Sequence, residues 1–471
     1  VVAGSFDVAV LGSGPAGVTA AARASELGAR TALVTAGRFG GMAANDGPVP
    51  VRTLAHTARL LRDARQLGRY GITGFSPELD YGHVLARVDE VVDEVRSSSF
   101  LLRQLNAQGV SLFQDTGTAR FLDPHQVRTE SGVTITADKF IVCTGGTGKA
   151  LPIPGFELTG THSDAWKLTA VPRSMIVIGG GATGLQVASV FNAFGTRVTV
   201  FEAGRQILPS ADRDLAAAVA RGFRCNGIDV REDFGTIDSF TRADDGIRMD
   251  YTGAGTHGSV EADLVISAVG WAADVTGLHL GCAGVEISAR GFIEVDRYLR
   301  TANPDIFAAG DVTGRTMLAS EAIRDGFVAA DNAVAGPRSA VTDHYAAEGS
   351  FTDPEYASVG LTEHAARESG VPVHCTQLDY SRCTRPIIDG QTYGFCKLVI
   401  DAATAEVLGC HVVGDRAVDI VQVLSFALSS GLRRVDDIAR LAVSFPTYGE
   451  IAIHAAVLAS QELGLDGVPL R

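Results

Sequence analysis

One pattern occurs twice in this chain and narrows its fold before anything else does. The apolar run 6–11 leads into Gly12-Ser13-Gly14-Pro15-Ala16-Gly17 and then an alanine-rich stretch ending at Gly28. The run 174–178 leads into Gly179-Gly180-Gly181-Ala182-Thr183-Gly184 and a second such stretch, ending at Gly195. Short apolar runs follow each, at 31–34 and 197–201. Strand, GxGxxG, helix and strand in that order form a βαβ opening, and the two openings start 167 residues apart. In such a loop the first glycine permits the turn. The second lets backbone approach a pyrophosphate, and the third lets helix and strand pack closely. The helix N-terminus supplies free N–H groups for phosphate. Two copies in this context predict dinucleotide sites on an α/β fold.

The residue that ends the second strand of each opening should meet the ribose. In the second copy it is Glu202, 23 residues after Gly179. A carboxylate there accepts from ribose hydroxyls and repels a 2′-phosphate, which predicts NADH over NADPH. In the first copy the same offset from Gly12 reaches Thr35, a weaker ribose contact.

Composition removes other classes. The 471 residues carry a net charge of −14, which opposes nucleic-acid binding. Some 46% are hydrophobic and 20% charged, so the chain is not broadly disordered. No run of about 18 apolar residues predicts a membrane span. No basic start followed by a greasy segment reads as a secretory signal, and the expected location is cytoplasmic. Seven scattered cysteines form no CxxC, and HExxH is absent, so no metal is expected. Residues 80–108 read as one long amphipathic helix, and residues 341–471 as an α+β domain.

With these motifs placed, the whole chain resembles the flavoprotein disulfide reductases, close to dihydrolipoamide dehydrogenase. Gly12–Gly17 match the FAD pyrophosphate loop, and Cys143-Thr144-Gly145-Gly146 the segment closing the FAD domain. Ala308-Ala309-Gly310-Asp311-Val312 resembles the motif whose aspartate holds the ribityl chain. Met317-Leu318-Ala319 stands at the helix start beneath the flavin, and 351–360 opens a dimerisation domain. The resemblance implies a glutathione reductase-like fold. Residues 1–150 with 275–340 would bind FAD, 151–274 NAD(P), and 341–471 would pair two copies as a homodimer. It also implies FAD contacts at Gly41, Met42, Arg52 and Ala119, and nicotinamide contacts at Ala182, Gln186 and Gly270.

The departures are specific. The family's redox cysteines correspond to Ala43 and Pro48 in the segment Gly40–Arg52, and its acid–base histidine to Phe445, ahead of Glu450. The family lysine near the flavin is Arg52, and its glutamate partner is Gln186. From these changes the expected reaction is direct electron transfer from reduced flavin to a small non-thiol acceptor. A quinone comes first and oxygen is a weak acceptor, so the chain would not be a disulfide reductase. The alternatives are a soluble pyridine-nucleotide transhydrogenase and a redox-silent protein that binds FAD and NADH.

Overall fold

The computed structural model describes residues 2–74, 76–98, 100–253, 255–342 and 345–465. The chain forms two compact units. The first comprises Val1–Leu54, Asp80–Lys149 and Gly270–Asp343, and the second Ala55–Leu79, Ala150–Val269 and His344–Arg471. The fold is mixed α/β.

The first unit is built on a seven-stranded sheet. Val2–Leu11 lies between Thr31–Val34 and Thr134–Val142, parallel to both. The strand Thr134–Val142 serves two partners. Its first residues pair antiparallel with Gln126–Thr129, and its last three pair parallel with Ile306–Ala308. Every residue of Thr31–Val34 is buried, as expected for a strand covered on both faces. The alanine-rich helix Pro15–Glu26 covers one face and packs against the helix Ala319–Ala335. Small residues set that close crossing: a Cβ on Gly326 would stand 2.2 Å from the Ala16 carbonyl oxygen.

The expected helix over 80–108 is two helices, Tyr81–Ser97 and Phe100–Ala107. Serines cause the break. The hydroxyls of Ser97 and Ser98 both donate to the Glu94 carbonyl, at 3.2 and 2.5 Å, which competes with continued helix.

The second unit repeats the parallel arrangement in four strands. Ser174–Ile178 lies between Arg197–Glu202 and Leu264–Ser267, with Asp229–Glu232 at the edge. A three-stranded antiparallel meander spans Thr236–Ala262. The C-terminal part forms a five-stranded antiparallel sheet, including two strands not read from the sequence, Glu348–Ser350 and Val373–Asp379. Its core is shared by the helices Ala417–Ser429 and Glu450–Glu462. Among the described residues no helix is long and apolar enough to cross a membrane.

One buried cation ties this unit together. Lys397, its side chain 4% exposed, donates to Asp212 at 3.0 Å, Asp214 at 2.6 Å and Glu363 at 2.8 Å. Asp212 also caps the helix Arg213–Cys225 and accepts from the Glu363 backbone N–H. Burial alone would drive the proton off Lys397. Its hydrogen bonds to Asp214, Glu363 and Asp212 reverse that and raise its pKa. In turn the hydrogen bond from Lys397, followed by that from Arg367, holds Glu363 down to about 2. Lys397→Met leaves the carboxylates facing one another. The expected cost is about 3 kcal/mol, the low end for a broken buried pair, because Asp214 and Glu363 reach solvent. A carboxyl with a depressed pKa stabilises the fold above its unfolded value and loses that contribution as pH falls through its folded value. The variant's deficit in thermal unfolding should therefore be full above pH 4.5 and close as pH falls towards 2.

Candidate functional site

The two glycine loops have the same backbone construction. Gly12 N–H donates to Val34 O at 2.8 Å, and Cys143 N–H to Leu11 O at 2.7 Å. Gly179 N–H donates to Phe201 O at 2.8 Å, and Ala268 N–H to Ile178 O at 2.7 Å. Each turn lies at positive φ, +108° at Gly12 and +99° at Gly179, where residues with a side chain are strained. A Cβ on Gly12 would meet Cys143 O at 2.2 Å, and one on Gly179 would meet Ala268 O at 2.4 Å. A Cβ on Gly17 would stand 1.8 Å from Gly12 O, and one on Gly184 2.0 Å from Gly179 O. The middle glycines differ in the same way in both copies: Gly14 and Gly181 face open space within 4 Å. Each caps its helix with extended backbone, without a side-chain cap and without an acid in the first turn. Helix N–H groups therefore look onto an open, uncharged cradle, four in the second copy and three in the first, where Pro15 has none.

Around the first loop the unit gathers residues far apart in sequence. Buried Ser13 donates to Thr35 Oγ1 at 3.0 Å and accepts from Gly40 N–H at 3.3 Å. A Cβ on Gly41 would be 2.7 Å from Gly14 Cα, so Gly41 sits against the loop, and Met42 follows it on the helix Gly41–Asn45. Thr144, Gly145 and Gly146 follow the strand that touches Gly12. A Cβ on Gly146 would lie 3.7 Å from Asp311 Cβ, and one on Gly310 3.1 Å from Ala16 Cβ. Burial, then the neighbouring Asp325, raises the Asp311 carboxyl above the usual range. Pro15 opens the helix after the loop. Leu318 and Ala319 open the helix Ala319–Ala335, and Ala119 is buried on the strand Ala119–Asp123.

Ala43 lies half-buried on the short helix Gly41–Asn45. Pro48, exposed, begins the helix Pro48–Arg65, with half-buried Arg52 one turn further. Phe445 and Glu450 belong to the second unit. Phe445 is 73% exposed, whereas Glu450 is buried with both carboxylate oxygens unpartnered among the described residues.

Around the second loop, Glu202 closes its strand and accepts from Gly180 N–H at 2.8 Å and Gly204 N–H at 2.7 Å. These bonds orient the carboxylate and leave lone pairs for further donors. Ala182 is exposed at the helix start and Gln186 half-buried one turn later. Gly270 lies in the first unit, where its carbonyl accepts from Lys149 N–H.

Of three orphaned polar atoms, sequence reasoning named the residue of one, Thr144, and missed Asn45 and Ser267. Thr144 Oγ1, Asn45 Oδ1 and Ser267 Oγ are buried without hydrogen-bond partners among the described residues. Thr144 and Ser267 flank the carbonyls that meet Gly12 and Gly179. The repeat itself was the available signal, since each βαβ opening needs a later strand end in that place. Orphaned acceptors and donors beside an open cradle fit a group that brings its own polar atoms, as FAD and a nicotinamide nucleotide do.

Residues 6–326 match the pyridine nucleotide-disulphide oxidoreductase family, and residues 346–456 match its dimerisation domain. The chain belongs to this family. It is 32% identical to a dihydrolipoyl dehydrogenase of Thermus scotoductus over 96% of this chain and 97% of that protein. It is 30% identical to a mercuric reductase of Bacillus cereus over 94% of this chain and 70% of that one. Among solved structures it is similar to the HOCl-induced flavoprotein disulfide reductase RclA from Escherichia coli, with a TM-score of 0.85 and 25% identity, covering 96% of this chain and all of that one. FAD and a pyridine nucleotide are the cofactors typical of the family.

These relatives overturn the expected non-thiol acceptor. They are dihydrolipoyl dehydrogenases, mercuric reductases and a disulfide reductase, which points to disulfide- or thiol-type chemistry and not to a quinone reductase or diaphorase. The faulty step was chemical. Alanine, proline and phenylalanine at 43, 48 and 445 are side chains of the protein, and say nothing about sulfur in the acceptor.

The paired geometry separates the two loops by experiment. Each new methyl in Gly17→Ala and Gly184→Ala collides with backbone, at an expected strain of about 1–3 kcal/mol, or about ten- to a hundredfold in affinity. Gly17→Ala should lose flavin on purification, measured as flavin absorbance per protein. Gly184→Ala should keep its flavin and lose NADH affinity by calorimetry.

Proposed function

We propose that this chain is an FAD-dependent oxidoreductase that takes electrons from NADH in preference to NADPH. It passes them to a disulfide or thiol-bound acceptor that brings the reacting sulfur itself. The observation that carries this reading is the pair of matching glycine loops, each with an open middle glycine and an orphaned polar atom beside it.

In this reading FAD is held by Gly12–Gly17, Thr35, Gly41, Met42, Arg52, Ala119, Thr144, Gly145, Gly146, Gly310, Asp311, Leu318 and Ala319. The nicotinamide nucleotide is held by Gly179, Gly181, Ala182, Gly184, Gln186 and Glu202. Bound FAD supplies a two-electron carrier between nucleotide and acceptor. The overall reaction converts NADH, a proton and one disulfide into NAD⁺ and two thiols. Two copies pair through residues 341–471, of which 343–344 and 466–471 lie outside the described residues, and the pairing covers the exposed Phe445 ring.

None of the seven cysteines falls within Gly40–Arg52, so Ala43 and Pro48 leave room beside Arg52 for sulfur that is not the protein's own. Arg52 keeps its charge at any working pH and favours an anionic thiolate product. Phe445 cannot protonate a departing thiolate. The acceptor's own leaving ability then governs the rate, and a thiolate of low pKa leaves faster.

Two measurements test this. Glu202→Ala should narrow an NADH preference of about ten- to a hundredfold in kcat/KM, because the 2′-phosphate no longer meets a carboxylate. Equal kcat/KM for the two nucleotides in the unmodified enzyme would remove the assignment of Glu202. Among disulfides, an aromatic one with an acidic thiol should be turned over about tenfold faster than an aliphatic one. Phe445→His should raise the aliphatic rate selectively. No thiol product from any disulfide would end the proposal.

A further inference from the structure

The later part of the Pro48–Arg65 helix lies in the second unit, where two arginines one turn apart fasten it. Arg62 Nε donates to Asp353 at 3.1 Å. Arg59 Nη1 donates to Glu355 at 3.2 Å and Nη2 to Asp415 at 2.8 Å, while its Nε faces Asp63 at 3.7 Å. The receiving segment is itself anchored. Asp353 N–H donates to Ser189 Oγ at 2.9 Å, and the Asp353 carbonyl accepts from Asn226 at 3.0 Å. Glu355 O accepts from Gly414 N–H at 2.8 Å.

Charge makes this cluster unusual. One guanidinium serves two carboxylates whose side chains are 11% and 15% exposed. Arg416 also attracts Glu355, but it is half exposed and paired with Asp419. Asp419 repels Glu355, and Tyr380 and Tyr448 line the same pocket of charge, with the Tyr380 hydroxyl donating to Asp415 O. Two carboxylates this withdrawn from water do not both stay ionised cheaply on one cation. Burial, then Asp415, pushes Glu355 up to about 7, against the pull of Arg59.

We propose that Glu355 is a proton-dependent positioning residue: ionised, it grips Arg59, and protonated, it leaves Arg59 to Asp415 alone, so that it sets how firmly the helix carrying Pro48 and Arg52 is held. The link to turnover rests on the reading that Gly40–Arg52 receives the acceptor.

A carboxyl whose folded pKa lies above its unfolded value binds its proton more tightly when folded. Its contribution to stability is complete below about 4.5 and lost as pH rises through about 7. Thermal unfolding of the FAD-loaded dimer is measured from about pH 4.5 to 8.5 for wild type, Glu355→Gln and Glu355→Asp. Wild type should lose stability relative to Glu355→Gln as pH rises, and Glu355→Asp should follow wild type. Acceptor kcat/KM should show a step of about threefold near neutral pH in wild type and Glu355→Asp, absent from Glu355→Gln. Parallel thermal profiles for wild type and Glu355→Gln would overturn the clasp, and a rate step that survives in Glu355→Gln would overturn its positioning role. No disulfide turnover by wild type at any pH would overturn the functional reading instead, with the thermal comparison still deciding the clasp. Arg59→Lys, which keeps the charge but loses the fork, should lower the melting temperature without removing its dependence on pH.

Discussion

At Gly12 and Gly179 the chain turns under a later strand so closely that a carbonyl oxygen occupies the place of a Cβ, at 2.2 Å from Cys143 and 2.4 Å from Ala268. The constraint is steric and admits no other residue. It brings together the end of one strand, the start of one helix and the end of a crossover strand, where an open parallel sheet leaves its ligand crevice. Everything described around the loops follows from it. Ser13 can reach Thr35, Gly41 can lie against Gly14, and Glu202 can take the Gly180 N–H, because the turn has already drawn these backbones together.

The second unit is held by a different device. Two cations, Lys397 and Arg59, each gather more than one carboxylate in places withdrawn from solvent. A chain with net charge −14 has carboxylates to spare, and these clusters place some of the excess where one cation joins several elements. Their chemistry diverges. Hydrogen bonds from Lys397 and Arg367 hold Glu363 firmly ionised, while Glu355 shares its cation with Asp415 and is pushed the other way. One cluster is a fixed rivet, and the other responds to protons.

The glycine loops and their flanking strands were legible in the sequence because local sterics dictate them. Ser174–Ile178 falls where its pattern puts it. Less legible were features that depend on distant partners. The break at Ser97–Ser98 turns on hydroxyls competing for one carbonyl, which periodicity does not register. Ser267 stands beside the second loop only because a later strand returns there. The acceptor was misread for another reason. Residues 43, 48 and 445 were read as departures from the family's pattern, and the identity of a substrate cannot be read from such a departure.

The central claim is that electrons from NADH end in sulfur carried by the acceptor. It is tested most directly by counting thiols released per NADH oxidised, without oxygen, using the FAD-loaded enzyme and an aromatic disulfide. The account predicts two thiols for each NADH, unchanged after the enzyme's own cysteines are alkylated. NADH oxidation without thiol release, or thiol release abolished by alkylation, would contradict it.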